Sequence, residues 1–228
     1  MAGMLKIGHR GTKGYVAENT LASFEKAIAM GADAVELDVH VCATGELVVI
    51  HDFTVDRTTN GTGEVHKLSL TELKQLKVEE QYAIPLLDEV LSLLKGKSVI
   101  NIEMKGRHTA KPLSAVLKKY VEGQDYSYNE IIVSSFQREE LQVMSEINPH
   151  VHLGVLTQAS VAQALEWAEE FSAKAIHPHY TLLTESNVKK AKEFGYKIYT
   201  WTVNESEDIA RVKDYGVDGI ISDYPERL

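Results

Sequence analysis

The sequence predicts an α/β chain folded as a TIM (β/α)8 barrel, with a small inserted segment after the hairpin that follows its second strand. Three observations carry this expectation. Eight short runs rich in β-branched residues recur along the 228 residues, helical patterns separate nearly all of them, and one stretch, 52–86, breaks the rhythm. The length suits one barrel spanning 1–228 as a single domain. A doubly wound nucleotide fold is the poorer reading, because no phosphate-binding glycine fingerprint follows the first strand.

The predicted barrel strands are "LKIGH" (5–9), "AVELD" (34–38), "VINIE" (99–103), "IIVSS" (131–135), "HLGVL" (152–156), "KAIHP" (174–178), "KIYTW" (197–201) and "GIISD" (219–223). Gly31, Gly195 and Gly216 mark helix ends, while Ser160 with Gln163 and Asn204 with Glu207 read as capping boxes. "LVVIH" (47–51) follows the second strand too closely for a parallel crossover, so it returns as a hairpin. A turn centred on Thr44 and Gly45 would set Asp38 opposite His51. The inserted segment 52–86 carries a turn signal at Asn60-Gly61 and a short helix capped by Ser69 and Glu72.

Composition narrows the function classes. With 24 Lys plus Arg against 33 Asp plus Glu, a formal charge of −9, the chain has no positive footprint for nucleic acid or an anionic membrane. An anionic ligand must therefore be met by local charge. Cys42 is the only cysteine, which rules out an internal disulfide framework and a Cys-rich zinc site. No stretch has the length of a membrane span, and "MAGMLKIGHR" runs straight into a strand pattern, so the expectation is a cytoplasmic protein without stable membrane insertion.

Chemistry gathers at the carboxyl ends of barrel strands. Alternation puts Glu36 and Asp38 on one face of a strand where Val or Ile would be ordinary, and Asn101, Glu103 and Lys105 alternate likewise. Buried carboxylates without a partner are costly. Glu36, Asp38 and Glu103 together offer hard oxygen ligands, which suit one Mg²⁺ or Ca²⁺ better than zinc. An internal Glu103–Lys105 ion pair is the plainer alternative for that strand. Arg10 and Lys105 are candidates to hold phosphate oxygens. At the later rims Phe136, His179, Tyr180 and Trp201 are candidate pocket aromatics, Trp201 foremost. Phe53 and Tyr82 are candidates for the leaving-group side, whereas His66, His108, His150 and His152 read as surface or loop residues.

"HRG" (9–11), "ENTLASFEKAIAMGADAVELDV" (18–39), "VVIHD" (48–52), "DRTT" (56–59), "IPLLDEVL" (84–91), "NIEMK" (101–105) and "GVDGIISDYP" (216–225) together resemble the glycerophosphodiester phosphodiesterase family over nearly the whole chain. The resemblance implies a metal-dependent hydrolase that cleaves small glycerophosphodiesters to sn-glycerol 3-phosphate and an alcohol. It implies His9 and His51 as the catalytic acid/base pair, Glu36, Asp38 and Glu103 as metal ligands, and Arg10 and Lys105 as phosphate contacts. Ala17 departs from the family's usual proline before "ENT". Asn19 reads either as a site contact or as a helix N-cap, and Asp52 as support for His51 or a cap of the insertion. Alternatives are a catalytically silent phosphodiester- or partner-binding barrel, a metal-dependent amidohydrolase, and lysophospholipase D-type activity on longer chains. The residues leave open Mg²⁺ or Ca²⁺, the head group, which imidazole is the acid, water or the glycerol 2-hydroxyl as nucleophile, and the oligomeric state.

Overall fold

The computed structural model describes residues 3–228. Its strands are β1 (Leu5–Gly8), β2 (Ala34–Val41), β3 (Leu47–Val49), β4 (Val99–Met104), β5 (Ile131–Ser135), β6 (His152–Thr157), β7 (Ala175–Pro178), β8 (Lys197–Thr200) and β9 (Gly219–Ser222). All but β3 run parallel and close into an eight-stranded barrel; β1 completes the ring by pairing with β9 through Ile7 and Ile221 and with β2 through Gly8 and Val35. The eight predicted runs are the eight barrel strands.

Seven helices pack outside: α1 (Leu21–Ala29), α3 (Leu87–Leu94), α4 (Ala110–Glu122), α5 (Arg138–Ile147), α6 (Val161–Glu170), α7 (Glu185–Glu193) and α8 (Ser206–Asp214), with α2 (Leu70–Gln75) in the inserted segment. The period of two divides each strand between two environments. Val35, Leu37 and Val39 join Phe24 and Leu91 in the layer between barrel and helices, each such side chain contributing about 1.5–3 kcal/mol on full burial. Ile7, Ile132, Tyr199 and Ile221 belong to a separate apolar layer. Helix ends follow local chemistry: Thr20 Oγ1 accepts from Ser23 N at the start of α1, and the chain leaves through Gly31 at φ +81°.

Residues 52–86 lie outside the barrel ladder. Val55, Val65, Leu73, Val78 and Ile84 form a small core with Ala17, Cys42, Val48 and Ile50, and the Ser69–Glu72 capping box starts α2. Among the described residues, no helix is long and apolar enough to cross a membrane.

Three expectations are corrected. The hairpin loop has three residues, with Cys42 N bonding Glu46 O and Gly45 at φ +100°, so the ladder sits one residue away from the predicted register. Val39 pairs with Val49 and Ile50 N bonds Asp38 O; Asp38 therefore faces Ile50 rather than His51. His51 reaches the barrel mouth because the ladder ends before it, with its carbonyl 3.1 Å from His40 Nε2. The second correction concerns Asn204, which does not cap α8: Glu205 is the N-cap residue and has no side-chain cap bond. The Asn204 side chain turns instead to Ser222 and Asp223. Ser160 does cap α6, accepting from Gln163 N, but the reciprocal half of a box is not formed there.

Candidate active site

Parallel register between β2 and β4 sets Glu36 beside Asn101 and Asp38 beside Glu103. Inward-facing positions on neighbouring strands thus bring all three carboxylates together: one oxygen from each of Glu36, Asp38 and Glu103 lies within 4.8 Å of the others, and all three residues are buried. Burial, then the charges of Asp38 and Glu103, push the Glu36 carboxyl well above its usual range. Burial and Asp38 likewise bring Glu103 up to about 7, against the pull of Lys105. Asp38 goes the other way, since Arg10, His51 and Lys105 outweigh its burial.

This cluster fits a hard divalent cation. Each carboxylate has a peripheral donor: Arg10 N at 2.9 Å from Glu36, Asn19 Nδ2 at 2.9 Å from Asp38, and Lys105 Nζ at 3.0 Å from Glu103. Even with those donors, burial first and the neighbouring carboxylates second keep two of the three carboxyls pushed upward, as expected of buried acids that crowd one another. Asn101 Oδ1 is buried beside them with no hydrogen-bond partner, a further hard oxygen in the same cleft. The Glu103–Lys105 pair of the plainer reading exists, but as one edge of this larger cluster.

Two imidazoles flank the carboxylates in the same cleft of about 310 Å³. His9 Nδ1 is 2.6 Å from Asp223 Oδ1, and His51 Nδ1 is 2.6 Å from Asp52 Oδ1. A carboxylate at Nδ1 favours the tautomer that carries its proton there and leaves Nε2 free to exchange a proton. Burial lowers both imidazoles below their ordinary value, opposed at His9 by Asp223 and at His51 by Asp38 and Asp52.

Arg10 lines the cleft but is firmly tied, its Nη1 donating to Glu18 at 2.7 Å and its Nε 3.3 Å from Asp38. Its backbone and that of Asn19 are left-handed, at φ +50° and +57°, and Asn19 N donates to Arg10 O. Such strain persists where surrounding contacts over-determine it. Asn19 is thus a site contact, and Thr20 takes the N-cap role. Lys105 stands over Phe136 at 5.5 Å, and Phe136 meets Trp201 edge to face at 5.4 Å, so both predicted aromatics wall the cleft. Trp201 is fixed by its indole N–H donating to His177 O at 2.7 Å. His179 and Tyr180 are not cleft residues; His179 packs on the edge of Trp201, and Tyr180 against the helix layer.

Sequence reasoning left Asp223, Glu18 and Arg57 without roles and gave Asn204 only that of a helix cap. Glu18 receives Arg10 and both Nη atoms of Arg57, which overcome the effect of burial and bring its carboxyl down to about 2. Arg57 also donates to both oxygens of Asp52. Position offered a signal for Asp223, which directly follows β9 at the carboxyl rim. Glu18 and Arg57 stood inside the motifs "ENT" and "DRTT", but as loop residues their meeting depends on how residues 52–86 fold back.

Carboxylates suited to a cation, two imidazoles paired with aspartates, a tied Arg10 and a freer Lys105 gather at one barrel rim, the fold and the kind of site that define the class of barrel phosphodiesterases. Comparison with known proteins gives the particular family. Residues 9–227 match the model of the Glycerophosphoryl diester phosphodiesterase family. The glycerophosphodiester phosphodiesterase of Caldanaerobacter subterraneus subsp. tengcongensis is 40% identical over 98% of this chain and 96% of its own, and that of Bacillus altitudinis is 35% identical over 98% and 96%. An Oleispira antarctica phosphodiesterase solved with its product sn-glycerol-3-phosphate superposes with a TM-score of 0.89 at 29% identity, covering 97% of this chain and 93% of that one. The chain belongs to the glycerophosphoryl diester phosphodiesterase family and is an enzyme of that class.

Proposed function

We propose that the enzyme hydrolyses small glycerophosphodiesters to sn-glycerol 3-phosphate and an alcohol, with His9 and His51 moving the protons and Glu36, Asp38 and Glu103 holding one Mg²⁺ or Ca²⁺. The observation that carries this reading is the convergence of two Asp-paired imidazoles on one buried carboxylate trio. When bound there, a divalent cation supplies charge neutralisation at a phosphoryl oxygen. Lys105 and Arg10 complement it on the remaining oxygens, with Lys105 the freer of the two because Glu103 is its one ion-pair partner among the described residues.

His9 is the base in this scheme. Asp223 opposite it takes its other side-chain hydrogen bond from the neutral amide of Asn204, at 2.8 Å, and Lys13 acts on it only through space, so most of its charge falls on the imidazole. His9 Nε2 takes the proton of the attacking oxygen. His51 is the acid: its Asp52 is already matched by Arg57, and its more exposed ring, 24% against 11% for His9, regains a proton from solvent. It protonates the departing alkoxide as the phosphorus–oxygen bond breaks. Water is consumed overall, and positioned acid/base groups of this kind contribute roughly 10² to 10⁴ in rate each.

The test is to strip the protein of metal, supply glycerophosphocholine and glycerophosphoethanolamine, and add Mg²⁺ or Ca²⁺ while measuring glycerol 3-phosphate. Metal-restored product is expected. No product from several head groups with either ion would overturn the proposal.

A further inference from the structure

A second cavity, about 410 Å³, adjoins the cleft on its insertion side. The two share chain neighbours on both flanks: His51 and Lys105 line the first, Phe53 and Gly106 the second. Gly106 is required there, because a Cβ would come within 2.9 Å of His40 Nδ1. His40 and Phe53 meet edge to face at 5.0 Å, forming its aromatic end.

Its charge runs opposite to the molecule's. Arg107 lines it and, among the described residues, enters no ion pair or side-chain hydrogen bond, in a chain whose formal charge is −9. His66 and His108 add two imidazoles. The one acid in the lining, Glu64, is already matched by Lys67 Nζ at 2.7 Å and His66 Nδ1 at 3.5 Å.

The loop carrying Arg107 is built rather than loose. His108 stands in the left-handed region at φ +61°, a conformation costly for a non-glycine residue. It is held by the buried carboxylate of Glu140, which accepts from His108 N at 2.6 Å and Ala110 N at 2.8 Å. Gln137 Nε2 donates to Lys105 O at 2.7 Å, and Thr109 Oγ1 to Gly106 O at 2.6 Å. Five residues are thus stapled so that Arg107 stands at the cavity's lip.

We infer that this cavity is the subsite for the departing alcohol, and that it favours alcohols bearing a second anionic group, a phosphate in particular. The inference rests on the reaction proposed above, in which the alcohol leaves on the His51 side, where Phe53 of this cavity follows two residues on. Phe53 and His40 cover the carbon skeleton of the alcohol, and Arg107 with His108 receives the anion.

Phosphorus NMR that follows loss of the phosphodiester signal tests this with two substrates, glycerophosphoglycerol and the same compound phosphorylated on its terminal glycerol hydroxyl. The expected kcat/KM is roughly tenfold higher for the phosphorylated substrate. Arg107→Gln, an exposed position, should abolish that preference, leave the neutral substrate within about twofold, and melt with the parent protein. Equal turnover of the two substrates by the parent enzyme, or an undiminished preference in Arg107→Gln, overturns the subsite. If neither compound is cleaved, the reaction itself is misassigned. Calorimetric binding of glycerol 1,3-bisphosphate then decides the subsite separately: weaker binding to Arg107→Gln supports it, and equal binding rejects it.

Discussion

The two histidine stations of the cleft share one geometry and differ in everything that supports it. Each imidazole meets an aspartate through Nδ1 at 2.6 Å. At His51 the aspartate is the next residue, and Arg57 grips it from the other side. At His9 the aspartate is 214 residues away, and a neutral asparagine holds it. The barrel brings β1 beside β9 and so delivers Asp223 as a by-product of ring closure. The insertion has to fold back on the rim to deliver Arg57. One station is tuned by the scaffold, the other by an appendage with its own small core. The same pair of atoms can therefore carry different proton chemistry, because the field on the far side of the carboxylate differs.

The comparison breaks most severely if either imidazole is dispensable. His9→Ala and His51→Ala are each expected to lower kcat by about 10² to 10⁴ in the metal-restored assay. Turnover retained in either would remove that residue from the proton pathway. A sharper discrimination comes from the two aspartates. Asp223→Asn should cost roughly 10²-fold in kcat, and Asp52→Asn about tenfold or less, because Arg57 already offsets the Asp52 charge. Removing an opposed carboxylate lowers an imidazole's pKa. The limb of the pH–rate profile set by the base, His9, should accordingly move to lower pH in Asp223→Asn, while the limb set by the acid, His51, should hardly move in Asp52→Asn. Equal losses and equal limbs would show that the two stations are equivalent.

Glu18 couples the stations, since Arg10 at the β1 rim and Arg57 in the insertion both end on it. Its carboxyl sits at about 2, below its ordinary 4.5, because the two arginines outweigh its burial. A depressed pKa of this kind adds stability above the ordinary value and forfeits it as pH falls through the folded one. Thermal melts should thus show stability falling between pH 4.5 and about 2, and Glu18→Gln should flatten that slope while lowering stability by about 2 kcal/mol near neutrality, the worth of a charged hydrogen bond to a half-exposed arginine. An unchanged acid slope would mean that Glu18 is no bridge. The smallest effect belongs to Asn204→Ala, about 1 kcal/mol in a urea titration, for the loss of its bonds to Asp223 and Ser222.

Local chemistry in the chain was enough to read the barrel. The strand runs, the terminal glycines of α1, α7 and α8, and the α2 capping box depend on neighbours within a few residues, and the structure follows them. Glu36, Asp38, Glu103 and Lys105 were legible for the same reason, because alternation on a strand forces same-face residues toward one side. Phe136 and Trp201 were legible as rim positions, and both stand in the cleft. The hairpin register was not, since one extra loop residue moves the pairing partner of Asp38 from His51 to Ile50. Asn204 misled because an asparagine ahead of a helix satisfies a capping pattern, yet the carboxylate it serves stands at the end of the neighbouring strand β9.

Periodicity, turn residues and charge alternation are properties of consecutive residues, so the chain by itself determined its strands, its helices and which face of β2 and β4 is acidic. Which aspartate stands behind His9, which arginine quenches Asp52, and where Arg107 is presented depend on ring closure and on the folding back of residues 52–86. Those meetings span long loops, and an electrostatic field is set by distance through space rather than along the chain; only the tertiary structure could decide them.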